Sequence, residues 1–269
     1  LVSAFNFEFI NDTITGGAQP RISSYFSGSD LAMRPGPATG RVKELLEPFA
    51  DDILPGTIDG YELPKGDGSA RNRSNIRKAT KLLADAGWSI QDGVLRDQNG
   101  GGFTLTVLLQ QGDTDMETAV DIYSRALERL GIQVSTEKVD NAQYSGRISE
   151  LDFDMTPFRR ALSLSPGNEQ RLYWGSEGAE TQGTRNLMGV ASPAVDGLID
   201  AMLASESHED FVAATRALDR ILTAGRYVIP IWSFDVGRIA HAKELKYPAT
   251  LPIYGDGPQY MPEVWWFED

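Results

Sequence analysis

The stretch FTLTVLLQQGDTDMETAVDIYSRALERLGIQVSTEKV, residues 103–139, contains three hydrophobic patterns in succession. Phe103–Leu109 alternates as a strand does. Thr114 and Glu117 then form a capping-box pattern ahead of a helical stripe. A second strand is predicted over Ile132–Val139. Strand, helix and strand within about 40 residues are typical of a right-handed βαβ unit, so the fold class is predicted to be α/β.

Further regular structure is predicted on both sides of this unit. An amphipathic helix is expected to be capped by Ser74 and ended by Gly87. A short helix over Asn141–Glu150 and a short strand over Phe153–Met155 follow the unit. These patterns extend the α/β region in both directions.

The last helices and strand are predicted from capping residues and hydrophobic runs. Ser192-Pro193 begins one helix, with a cap and a proline at the first helical position. Ser207 and Asp210 begin another, and Tyr227–Trp232 forms an apolar strand. We divide the chain into an irregular wrapping segment, an α/β lobe, and a returning strand with its tail: 1–70, 71–225 and 226–269.

The wrapping segment is rich in glycine and proline, which favours a chain that runs over a scaffold. Phe5–Phe9 is aromatic and fits either a strand or a helix. A short apolar helix is predicted near Val42–Leu46. The chain begins at Leu1 without an initiator methionine, as expected of a mature or truncated chain.

Composition excludes several classes of function. With 38 acidic and 25 basic residues, the formal charge of −13 disfavours binding to nucleic acid. The lack of cysteine excludes thiolate catalysis, cysteine-ligated zinc and disulfides. No apolar run approaches the roughly 18 residues of a membrane span.

Residues suited to catalysis are sparse. His208 and His241 are isolated, and no nucleophile, phosphate-loop or zinc motif is present. Asp152 and Asp154 share a predicted strand face, and Asp51-Asp52 lies in a loop. Either pair fits a solvated edge better than a cation site, so we predict no metal and no cofactor. A carboxylate-dependent glycan hydrolase remains as an alternative.

The segment RRALSLSPGNEQR, residues 159–171, combines arginines, hydroxyls, an amide and an acid without helical or strand periodicity. Such composition is typical of a loop that contacts a ligand. A surface loop has the same composition, and the residues alone leave both interpretations open.

Several segments, read in order, resemble family 5 of the bacterial extracellular solute-binding proteins, the dipeptide and oligopeptide class. They are Phe5–Glu8, the LLxxAG helix at Leu82–Gly87, Ser163–Arg171, Gly183–Leu187 and Tyr227–Pro230. The nearest subgroup resembles the binding proteins of microcin C-type peptide uptake. The resemblance covers nearly all of this chain but only about half of a family member.

The resemblance implies the C-terminal lobe of a two-lobed, type II clamshell, with a mixed sheet flanked by helices. It implies a monomeric periplasmic protein that binds a peptide or peptide-like ligand and delivers it to the permease subunits of an ABC importer. Hinge closure around a ligand needs no covalent chemistry, so we predict that the protein is not an enzyme. A peptide-holding module without a transport role is a further alternative.

One departure from the family concerns the ligand's free amine. In peptide binders, an aspartate that follows an aromatic residue pairs with that amine; here Ser163 replaces the acid and Arg160 replaces the aromatic residue. A guanidinium prefers carboxylate or phosphate. The residues expected to face or adjoin the cleft are Arg159, Arg160, Ser163, Ser165, Asn168, Glu169, Arg185 and Asn186.

Overall fold

The fold consists of helices and short paired strands in a computed structural model that describes residues 1–233, 239–251 and 261–268, without the side chains of 261 and 262. The helices are α1 Phe7–Thr15, α2 Gly40–Leu46, α3 Gly56–Asp59, α4 Arg73–Asp85, α5 Thr114–Glu128, α6 Asn141–Glu150, α7 Glu169–Trp174, α8 Pro193–Leu203, α9 His208–Gly225 and α10 Met261–Val264. The strands are β1 Ser89–Gln91, β2 Val94–Arg96, β3 Thr104–Gln110, β4 Gln133–Val139, β5 Leu245–Lys246 and β6 Trp266–Phe267.

The chain divides into two compact units, Leu1–Ile231 and Trp232–Asp269. The second unit contains the antiparallel pair β5–β6. Among the described residues, no helix combines the length and the hydrophobicity needed to cross a bilayer.

The predicted βαβ unit is confirmed. β3 and β4 pair in parallel, in register from Thr104 opposite Gln133 to Gln110 opposite Val139, and α5 connects them. Its capping residue differs from the prediction. The side chain of Asp113 accepts a hydrogen bond from the backbone N–H of Met116, so Asp113 is the N-cap of α5 and the predicted cap, Thr114, is its first helical residue.

Gly131 lies in the tight connection from α5 to β4. Its φ is +76°, and a Cβ atom there would lie 2.7 Å from the backbone nitrogen of Leu95. A left-handed conformation and a close backbone neighbour both require glycine at this position. The connection therefore brings the antiparallel pair β1–β2 against the start of β4.

Three other local predictions needed correction. Asn72, not Ser74, caps α4; its φ is +41°, a left-handed conformation that asparagine tolerates better than most residues. Phe153–Met155 forms a single parallel bridge, Met155 to Val107, and no strand. The predicted strand Tyr227–Trp232 does not form either: of its residues, Trp232 alone is in a β-bridge, and Pro230 lacks the N–H that a ladder needs.

The predicted C-terminal helices are confirmed and form a hydrophobic core with α2. Ser192 caps α8 and Ser207 caps α9, each accepting a hydrogen bond from a backbone N–H of the first turn. The fully buried side chains of this core include Leu46, Leu198 and Leu218. The buried faces of α8 and α9 supply most of this apolar cluster, against which α7 also packs.

Two adjacent residues of α9 attach the N-terminal segment to this core. The buried carboxylate of Asp219 accepts hydrogen bonds from the backbone N–H groups of Tyr25 (2.7 Å), Phe26 (3.3 Å) and Met33 (2.7 Å). Burial raises the pKa of Asp219, although these hydrogen bonds and one from Ser24 oppose the rise.

The second residue is Arg220. Its buried guanidinium donates to the carbonyls of Thr57 (2.7 Å), Arg34 (2.8 Å), Gly36 (2.8 Å) and Ile58 (3.2 Å).

Candidate ligand-binding site

Arg160 lies on a group of aromatic rings beside α7. Its Cζ atom is 4.0 Å from the ring centroid of Tyr173, 4.9 Å from that of Trp174 and 5.0 Å from that of Phe158. A guanidinium over an aromatic face is attracted by the ring's quadrupole. These contacts hold the planar group of Arg160 in one place.

The rings beneath Arg160 are fixed by their own contacts. Trp174 is buried, and its Nε1 donates to the buried Gln170 at 2.6 Å. Tyr25 packs edge-on against Trp174 at 5.1 Å, and its hydroxyl donates to the sulfur of Met188. Burial raises the pKa of Tyr25 far above its usual range. We call Tyr25, Phe158, Tyr173 and Trp174 the aromatic platform.

The charge of Arg160 is not neutralised by a carboxylate. One of its terminal nitrogens donates to the carbonyl of Arg185 at 2.7 Å. Within the described ranges, no carboxylate lies at ion-pair distance from Arg160 or from Arg185. Burial lowers the pKa of Arg160; Tyr173 opposes the shift, and the nearby charge of Arg185 adds to it. Arg159 differs, because it pairs with Asp113 at 3.1 Å.

The rest of the predicted loop is braced by short-range hydrogen bonds. The exposed Ser163 accepts from the backbone N–H of Ser165, and the exposed Asn168 precedes α7. Glu169 accepts from the backbone N–H of Gly167 at 2.9 Å. Partial burial of Glu169 would raise its pKa, but hydrogen bonds from Gly167 and from its own backbone N–H hold that pKa below the usual value. The loop is therefore ordered beside the aromatic platform.

Asn186 has a different position from the other predicted site residues. It is fully buried; its amide nitrogen donates to the carbonyls of Gly175 (3.0 Å) and Val190 (2.8 Å), and its oxygen accepts from the N–H of Val190 (3.0 Å). This placement gives Asn186 a structural role and leaves it no exposed surface for a ligand.

A family model described as bacterial extracellular solute-binding proteins, family 5 Middle, matches residues 1–182. The chain belongs to this family. It is 39% identical over 97% of its length to a putative binding protein of Brucella melitensis. It is 37% identical over 98% of its length to the probable peptide-binding protein YejA of Agrobacterium fabrum. It spans 42% of each of these relatives.

The fold is that of solved periplasmic binding proteins. The oligopeptide-binding protein AppA from Bacillus subtilis, solved with a nonapeptide, superposes with a TM-score of 0.71 at 16% identity. The match covers 100% of this chain and 46% of AppA. The α/β architecture predicted for a lobe of a type II clamshell is thereby confirmed.

Sequence reasoning missed the aromatic platform of this family 5 chain. Tyr173 and Trp174 lie two and three residues after the predicted loop, and their closeness to it was an available signal. Tyr25 lies far away in sequence and reaches Trp174 only through the fold. An arginine loop next to a pair of aromatic residues is the pattern that would have revealed part of this site.

Two of the carboxylates considered for catalysis have structural partners in the described chain. Asp152 pairs with Arg147 at 2.7 Å, and Asp154 accepts from the backbone N–H of Thr106 at 2.7 Å. His241 packs edge-on against the ring of Tyr247. Among the described residues, no group of three or more potential ligands is placed to hold a metal.

A prediction separates the structural role of Asn186 from ligand contact. Replacing it by alanine leaves the buried N–H and carbonyl of Val190 without their partner and removes one of the two donors to the carbonyl of Gly175. The free energy of unfolding should therefore fall by about 2–3 kcal/mol. Urea denaturation measures this loss. Replacing the exposed Asn168 by alanine is the matched control and should change stability little. Equal stabilities of the two variants would contradict the assigned role.

Proposed function

We propose that the chain is the C-terminal lobe of the substrate-binding component of an ABC importer. The ligand is a peptide or a peptide-like compound, which the periplasmic protein delivers unchanged to permease subunits in the inner membrane. Membership of family 5, a relative named as a peptide-binding protein, and the likeness to a lobe of AppA support this proposal. The finer assignment to microcin C-type uptake is supported by the segments quoted from the sequence.

The observation that carries the proposed binding role is the placement of Arg160. It is half-buried on the aromatic platform, it has a charged arginine beside it, and it lacks a carboxylate partner among the described residues. An unpaired guanidinium is unfavourable when partly desolvated. A carboxylate of the ligand would supply the missing partner in the planar, two-pronged geometry that arginine favours.

Arg159 supplies a matched control, because it carries the same charge one residue away and already pairs with Asp113. In the full-length protein, Arg160→Ala should weaken peptide binding by roughly ten- to a hundredfold, which corresponds to about 1.5–3 kcal/mol for a charge-assisted hydrogen bond. Arg160→Lys should also weaken it, because the planar fork is lost. Arg159→Ala should leave the affinity nearly unchanged.

The measurement is calorimetric titration with peptides of graded length up to a nonapeptide, each as the free acid and as the C-terminal amide. The free acids should bind more tightly to the wild type, and Arg160→Ala should remove that preference. Unchanged affinity in Arg160→Ala would exclude this residue from the site. Failure of the whole peptide panel to bind wild type would contradict the proposed function itself.

A further inference from the structure

A cavity of about 360 Å³ lies where the start of α4 meets the end of α5, apart from the site described above. It is lined by Arg71, Arg73, Ile76, Arg77 and Arg129. Four guanidinium groups and no carboxylate line this space, in a chain whose formal charge is −13. We call it the arginine cavity.

The positive charge of the arginine cavity is not balanced from within the described part of the protein. None of its four arginines lies within ion-pair distance of a carboxylate there, whereas Lys81, further along α4, pairs with Asp85 at 2.6 Å. The acid that Arg73 influences is Asp67, which is solvent-exposed. The pKa of Asp67 is lowered mainly by the hydroxyl of Ser69, and Arg73 contributes least.

The position on α4 adds to the imbalance. The first turn of α4 contains no acidic residue, and the capping residue makes no side-chain hydrogen bond to it. The unpaired N–H groups at a helix N-terminus carry partial positive charge, so cations are unfavourable there. Arg73 and Arg77 nevertheless lie in the first turns. An anion in the cavity would neutralise the helix end and the guanidinium groups together.

One pair of hydrogen bonds holds a lining guanidinium in place. Arg129 donates from both terminal nitrogens, to the carbonyl of Arg71 at 3.0 Å and to that of Ala70 at 3.3 Å, and so joins α5 to the loop before α4. Asn72 stands between two of the lining arginines in the sequence but does not itself line the cavity, and it is 2% exposed. Neither polar atom of its side-chain amide has a hydrogen-bond partner in the described structure.

We propose that the arginine cavity binds a phosphate group, from a soluble phosphate compound or from a lipid headgroup. Guanidinium groups match the geometry of both carboxylate and phosphate. Four of them around the start of α4 suit a multiply charged oxyanion better than a single carboxylate. This site does not depend on the peptide ligand proposed above.

The test uses the full-length protein at low ionic strength with two probes. Inorganic pyrophosphate is titrated calorimetrically, and vesicles of phosphatidylglycerol are compared with vesicles of phosphatidylcholine in a sedimentation assay. The double substitution Arg73→Gln/Arg77→Gln should weaken binding at least about tenfold, because two charge-assisted contacts are lost. The matched control Lys78→Gln/Lys81→Gln removes the same charge from the same helix without touching the cavity, and it should bind as the wild type does.

The two probes distinguish the sources of the phosphate. Pyrophosphate binding that the arginine substitutions remove supports a soluble ligand, and phosphatidylglycerol binding with the same pattern supports a headgroup. The proposal is overturned if neither probe binds, if both double variants weaken binding equally, or if succinate binds as tightly as pyrophosphate. The substituted side chains are exposed, and circular dichroism checks that the helices remain.

Discussion

Replacing Asp219 by alanine is expected to lower the free energy of unfolding by more than about 4 kcal/mol, because each buried polar group left without a partner costs about 1–3 kcal/mol. Its carboxylate is the acceptor for three backbone N–H groups of residues 25–33. The substitution also leaves a cavity beside the core of α8 and α9. Asp219→Asn, which keeps one acceptor oxygen, should show a smaller loss.

Urea denaturation followed by circular dichroism measures this effect. Asp121→Ala is the matched control, because Asp121 is an exposed helical aspartate that pairs with Arg125 one turn later on α5. That surface pair contributes little to stability. If both alanine variants unfold at the same urea concentration, the proposed anchoring by Asp219 is wrong.

Replacing Arg220 by methionine is expected to cost about 3–5 kcal/mol, the range for removing one partner from a buried charged network. Methionine keeps the apolar stem but removes the guanidinium donor from the carbonyls of Thr57, Arg34 and Gly36. The carbonyl of Ile58 also loses this donor but keeps the N–H of Ala38. The segment that these carbonyls belong to should then detach more often. Limited proteolysis should cut the variant within residues 34–58 sooner than the wild type.

The control for this variant is Arg216→Met, one turn earlier on the same helix. Arg216 is half-buried, and among the described residues its guanidinium donates to the carbonyl of Asp30. The Arg216→Met variant should lose much less stability than Arg220→Met, and its cleavage pattern should stay that of the wild type. Equal destabilisation would mean that the loss reflects helix charge and not the buried carbonyls.

Local patterns were enough to predict much of the lobe. The caps Ser192 and Ser207 and the bounds of α6 follow from residues within a few positions of each helix end. Where two adjacent polar residues can each cap a helix, local patterns do not predict which of them does. Asp113 and Thr114 are both good caps, and the aspartate caps α5 in the structure. The path of the N-terminal segment was not predictable, since hydrogen bonds to distant residues of α9 determine it.

The candidate site divides in the same way. The composition of one loop predicted Arg160, but the contact of Tyr25 with Trp174 joins distant segments and has no local signature. Asn186 looked like a ligand-binding amide because sequence does not reveal burial; in the structure its hydrogen bonds are made within the protein. The residue types predicted which side chains can form hydrogen bonds or ion pairs. The fold determined which of them bind other groups of the protein instead of a ligand.

The anchoring of the N-terminal segment by α9 has a consequence for how the chain folds during synthesis. Asp219 is separated by 194 residues from Tyr25, and its carboxylate accepts a hydrogen bond from the backbone N–H of Tyr25. At a translation rate of about 5–20 residues per second, this part of the chain waits some 10–40 seconds for its anchor to be made. Contacts so distant in sequence also form slowly once both partners exist. Residues 25–58 therefore reach their final positions late, and a nascent chain stalled before α9 should expose them to proteases and chaperones.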